Sequence, residues 1–200
     1  MINDYFDYSK FIDVLSLVLS IGYHFKFSTK SVEKKIIESK YFKAFLDEER
    51  SSILYKTDLE IAKEIYPEIN EENIQPISYK EIEWTAMMYG HILKETKLNF
   101  ETVFIYISIQ KAYEMFTIYH EMSFSQSLDY FLNLRKESVI SRRAKNLKIT
   151  TKELAESCGV SVSTINFLRT RKSDISKLNV GSAYKISKVL NISLETLLSN

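Results

Sequence analysis

Cysteine occurs once in the 200 residues, at Cys158, so no internal disulfide can form and the residue is expected to pack as a small apolar side chain. Glycine and proline are scarce, with four Gly and two Pro. That shortage disfavours a turn-rich sheet fold and points to a mainly α chain. No apolar run is long enough for a bilayer: the longest, Phe11 to Tyr23, contains Asp13 and falls short of the roughly 20 residues a spanning helix needs. The first residues lack a basic-then-apolar leader pattern, so a soluble, cytoplasmic protein is expected, with no membrane partner. No glycine-rich phosphate loop appears. Histidine occurs three times, at His24, His91 and His120. His120-Glu121 has no second histidine four residues on, so a zinc-peptidase helix is not indicated. Acidic pairs such as Glu71-Glu72 and Glu81/Glu83 read as solvated faces. The sequence therefore predicts no catalytic constellation, no metal site and no cofactor.

Charge and aromatic residues are divided unevenly. Residues 136–200 hold twelve Lys and Arg against five Asp and Glu, a net of +7, while residues 1–135 carry a net of −6. Of the 26 Phe, Tyr and Trp, only Phe167 and Tyr184 follow residue 135. A basic module on an acidic body is the pattern expected when one part meets phosphate. Two domains are predicted, 1–135 and 136–200, joined near Arg135 to Ser138 without a Gly/Ser linker.

The first domain reads as helical. Phe11, Val14, Leu15, Val18 and Leu19 fall on one face of a helix from about Ser9 to Tyr23. Val32, Ile36, Ile37, Tyr41, Phe42 and Leu46 continue at mostly helical spacing, with Ser31 as the expected N-cap. Leu59, Ile61, Ala62, Ile65 and Tyr66 predict a helix ended by Pro67, with Lys63 on its solvent side. Trp84, Met87, Met88, Ile92 and Leu93 predict another over Glu81 to Lys94. Val103 to Ile109 could be a strand by residue type. Ile105, Ile109, Ala112, Met115 and Phe116 instead fit a helical stripe, which is the favoured reading. Ser123 followed by Gln126 signals a helix through Leu134. The aromatic surplus fits a packed core or a protein interface.

The most specific pattern lies at Thr151 to Thr170. Ala155, Gly159 and Ile165 fall where two short helices crossing around a tight turn need a small residue, a residue free to take positive φ, and a branched apolar one. Val160 and Ile165 face back toward Leu154. Helices are expected before the motif (Ser138 to Leu147) and after it (Gly181 to Leu190), with a short last helix. Five helices favour a helix-turn-helix unit, whose second helix is shaped for the DNA major groove, over an ordinary helical hairpin.

Lys148 to Ala155, Cys158 to Ile165 and Ile186 to Leu198 resemble the Cro/C1 repressor-like (Xre-type) helix-turn-helix family over roughly the last third of the chain. That family often carries Glu-x-Gly after the recognition helix. Here Arg169-Thr170-Arg171 stands in that place and makes the loop more basic. Glu83 to Gly90 and Tyr119 to Gln126 are similar, over shorter stretches, to antitoxin-type bacterial regulators, which pair a protein-binding helical domain with a helix-turn-helix domain.

Double-stranded DNA is thus the expected partner. Ser161 should N-cap the recognition helix. Val162, Ser163 and Phe167 should face the groove, with Thr164 and Asn166 as secondary contacts. Phe167 could alternatively pack against the neighbouring domain. Thr151 and Lys152 open the preceding helix, where phosphate contact is expected. Arg142, Arg143, Arg169, Arg171 and Lys172 are candidates for phosphate neutralisation, or else solvated surface charge. One such unit covers a half-site, so a homodimer is expected. The finer expectation is an autorepressing antitoxin that binds a toxin protein through its first domain. The alternative is an interaction module whose helix-turn-helix does not bind DNA.

Overall fold

The computed structural model describes residues 3–46, 55–70, 72, 79–170 and 178–198. Among them no strand occurs, and thirteen α-helices make up the regular structure. The minority strand reading of Val103 to Ile109 is therefore overturned. Val103 to Tyr106 lie in α6 (Phe100–Tyr106) and Ile109 opens α7 (Ile109–Tyr119), with Ile107 and Ser108 between the two helices. The stripe through this segment is not one helix either. Ser108 is extended and its hydroxyl accepts from the Lys111 N–H, capping α7 and breaking the run.

The chain forms two compact units that do not follow a single cut. Met1–Phe100 and Ile107–Leu128 make the first, and Glu101–Tyr106 with Asp129–Asn200 make the second. The cut expected at 135/136 falls inside the second unit. Helix α6, apart from Phe100, belongs with the C-terminal helices although its chain neighbours do not.

The first unit is organised on α1 (Asn3–His24), which packs on α4 (Asp58–Ile65) and α5 (Lys80–Thr96). Phe11, Val14, Leu15, Val18 and Leu19 are all buried, as the one-faced spacing requires. Phe11 stacks on Phe45 at 4.3 Å between centroids and meets Phe42 edge-on at 5.6 Å, so part of the aromatic surplus is core. Gly22 allows the closest approach. A Cβ there would stand 2.6 Å from Val32 Cγ2 and 3.1 Å from the Tyr66 hydroxyl. That hydroxyl donates to the Val18 carbonyl at 3.1 Å, which satisfies a buried polar group.

Local capping corrects several boundaries. The expected cap Ser31 lies inside α2 (Thr29–Glu38). Ser28 is the N-cap, accepting from the Ser31 N–H. The apolar run beyond it is split at Ser39 into α2 and α3 (Lys40–Leu46). Thr57 and Glu60 form a capping box at α4, and Tyr66, at φ −124° and ψ 64° before Pro67, ends that helix with its N–H donating to Ala62 O. Glu33 reaches the start of α7, where its carboxylate accepts from the Ile109 N–H at 2.8 Å. Helix α8 (Phe124–Leu134) begins directly after Ser123.

Candidate nucleic-acid interface

The second unit contains α9 (Val139–Leu147), α10 (Thr151–Cys158), α11 (Val162–Thr170), α12 (Val180–Leu190) and α13 (Leu194–Leu198). Helix α10 starts with a capping box. The Thr150 hydroxyl accepts from the Glu153 N–H at 3.2 Å, and the Glu153 carboxylate accepts from the Thr150 N–H at 2.8 Å. The Thr150 N–H, followed by its hydroxyl, holds the Glu153 carboxyl below its ordinary pKa.

Gly159 ends α10 at φ 65° and ψ 35°. The Gly159 N–H donates to Glu156 O, and the Val160 N–H donates to Ala155 O at 3.1 Å. This paired closure reverses the chain within two residues. A Cβ at Gly159 would meet only Lys185 Nζ, at 3.9 Å. Glycine is needed there for its backbone conformation rather than for space.

Three residues on, α11 begins. Ser161 Oγ accepts from the Thr164 N–H at 3.0 Å, the expected N-cap. The same oxygen lies 2.7 Å from Ser163 Oγ and 2.8 Å from Thr164 Oγ1. Three hydroxyls therefore gather around the free N–H end of the helix. Ile165 and Leu168 are buried, and Ala155 is 2% exposed opposite them. That burial turns Val162 (44% exposed) and Phe167 (42% exposed) outward, along with Ser163 and Asn166. Thr164 is half-buried. Cys158 is buried as a small apolar group, and burial raises its thiol pKa against the opposing charge of Lys185.

The cations sort differently from their surface pattern in the sequence. Lys152 is exposed, with only a loose 3.9 Å pairing to Glu156. Arg169 Nη1 donates to Thr151 Oγ1 at 2.5 Å, joining the end of α11 to the start of α10. Ser138, the buried cap of α9, accepts from the Ser141 N–H at 3.1 Å and donates to the Arg169 carbonyl at 3.2 Å. Arg143 caps α12 from outside, donating to Leu190 O at 2.9 Å and Asn191 O at 3.4 Å. Arg142 donates to the Tyr106 carbonyl at 3.3 Å and lies 3.6 Å from the Glu137 carboxylate. Burial raises the Glu137 carboxyl, but hydrogen bonds from Lys145 and Ser141 and the charges of Lys145 and Arg142 bring it below its ordinary value. Arg171 and Lys172 lie outside the described residues.

The structure thus gathers Ser161, Val162, Ser163, Thr164, Asn166 and Phe167 on one short helix, with Thr151 and Lys152 at the start of the helix before it. Arg142 and Arg143 have partners within the unit. Thr150 was legible as a Thr-x-x-Glu pair, whereas nothing local signals Ser138 as a link to α11. No helix among the described residues is long and apolar enough to cross a membrane. No curated protein and no solved structure matches the chain. The helix-turn-helix family model matches residues 140–197, so this part of the chain is similar to the helix-turn-helix domains of DNA-binding regulators.

Proposed function

We propose that the protein is a sequence-specific DNA-binding transcription regulator that reads duplex DNA with α11. The observation that carries this is the division of α11 into two faces. Ile165 and Leu168 are buried while Val162, Ser163, Asn166 and Phe167 are presented outward, on a helix whose N-terminal N–H groups and dipole favour a phosphate. Ser163 offers a hydroxyl to a base edge. Val162 and Phe167 offer apolar contact to a thymine methyl, and Asn166 offers an amide. Lys152, with Arg171 and Lys172, supplies the backbone contacts. Arg169, Arg142 and Arg143 contribute less, because each already donates to an oxygen of the protein.

The finer reading is a homodimer on a palindromic site, repressing its own promoter as an antitoxin and binding a toxin through the first unit. The dimer follows from the half-site size of one such domain. The antitoxin role rests on the short resemblance at Glu83 to Gly90 and Tyr119 to Gln126. A second reading, an interaction module that has lost DNA binding, is favoured only by the internal partners of those three arginines.

The test is a duplex selected with the wild-type protein, compared with random duplex. Ser163→Ala should lose about 1–3 kcal/mol on the selected sequence and little on the random one. Equal losses on both would remove α11 as the reading helix.

A further inference from the structure

Helix α6 lies outside the segment matched as a helix-turn-helix, yet it is held by both ends of that segment. Its first turn carries Glu101. The Glu101 carboxylate accepts from the Ser193 N–H at 3.0 and 3.2 Å and from Ser193 Oγ at 2.5 Å. Ser193 Oγ in turn accepts from the Thr196 N–H at 3.0 Å, so Ser193 is the N-cap of α13. In an ordinary capping box a Glu three residues after the cap returns to the cap N–H. Here that position is Thr196, and the carboxylate is supplied by Glu101 from 92 residues upstream. Thr102 and Thr196, both fully buried, meet beside it with their hydroxyls 3.5 Å apart.

The other end of α6 is held by α9. Asn146 Nδ2 donates to the Ile105 carbonyl at 3.0 Å and Arg142 Nη2 to the Tyr106 carbonyl at 3.3 Å. These carbonyls belong to the last turn of α6, where no intrahelical donor remains for them. The Tyr106 hydroxyl donates to the Glu137 carbonyl at 2.8 Å, just before the cap of α9. Helix α9 packs on α11, and its cap Ser138 bonds to the last turn of α11.

We propose that α6 is a positioning helix of the DNA-binding unit, with Glu101 fixing the start of α13 and the Ile105 and Tyr106 carbonyls fixing α9, and through α9 the pose of α11. The effect on DNA rests on the function proposed above. The chain leaves the first unit at Phe100 and re-enters it at Ile107, so α6 is tied at both ends to the segments proposed to bind a protein.

The test uses the full chain and three variants. Glu101→Ala removes the acceptor, whereas Glu101→Gln keeps an acceptor oxygen for the Ser193 N–H. Asn146→Asp keeps the shape and removes the donor. Native-state hydrogen exchange in low denaturant should show residues 101–106 opening together with α9 and α13, and earlier in Glu101→Ala and Asn146→Asp. Duplex affinity should fall about 2- to 10-fold in those two variants, the equivalent of about one hydrogen bond, and recover in Glu101→Gln. A fall that Gln does not rescue, or α6 opening together with α5 and α7, overturns the proposal. Wild-type protein that binds no duplex defeats the DNA reading alone, and the exchange pattern still decides whether α6 belongs to this unit.

Discussion

Replacing Gly159 by alanine isolates the turn on which the two-helix crossing depends. The residue sits at φ 65°, where an L side chain costs about 1–2 kcal/mol. Alanine also narrows the unfolded ensemble, which offsets about 0.4–1 kcal/mol. Steric conflict adds nothing, because the new Cβ would meet only Lys185 Nζ at 3.9 Å. The net expectation is a loss of about 1 kcal/mol, or about 2–4 °C in Tm for a cooperative chain of this size. Gly159→Asn should lose less, since Asn tolerates the left-handed region and Asn191 already occupies it at φ 50° in the same unit. The reciprocal change, Lys148→Gly, relieves an exposed side chain at φ 58° and should be neutral to stabilising by up to about 1 kcal/mol. Urea unfolding followed by circular dichroism reads all three. A Gly159→Ala variant more stable than the wild type would refute the left-handed turn. Equal losses above about 3 kcal/mol for Ala and Asn would show that space, not conformation, selects glycine there.

Gly22→Ala should behave in the opposite way, because its Cβ would fall 2.6 Å from Val32 Cγ2 in a helical segment. Overpacking should cost about 1–3 kcal/mol, and Gly22→Ala combined with Val32→Ala should recover part of it in the same unfolding assay. Failure of the double variant to recover any stability would remove the proposed contact. Stability should also decline at alkaline pH. Burial pushes Tyr8 and Tyr106 up to about 12 and raises Tyr89 well above its ordinary value. Unfolded tyrosines release protons near pH 10 while the folded ones keep theirs. The native state therefore binds more protons above that pH, and stability present below pH 10 is lost progressively toward 12. Tyrosinate absorbance measured alongside Tm between pH 9 and 11 checks this, and full ionisation of the native protein near pH 10 would contradict it.

The helix-turn-helix was legible because its determinants are local. Ala155, Gly159 and Ile165 each satisfy a steric or backbone demand within ten residues, and the burial of Ile165 and Leu168 follows from helical spacing. The α1 stripe was legible for the same reason. The division between α2 and α3, and between α6 and α7, was not. Apolar periodicity runs through both breaks, and the deciding residues, Ser39 and Ser108, act through backbone geometry at one position each. The roles of Arg142, Arg143 and Glu101 were hidden for another reason. Their partners are carbonyls or an N–H brought near by tertiary folding, so a basic side chain in the sequence reads equally as a phosphate contact or a helix cap.

If α11 presents a surface for duplex DNA on a basic unit, equilibrium binding of the full chain to duplex across a salt series will show it. Binding should be detectable at low ionic strength, with log K falling linearly against log salt by about 0.9 per phosphate neutralised. No association with duplex at low salt, or an affinity indifferent to salt, would contradict it.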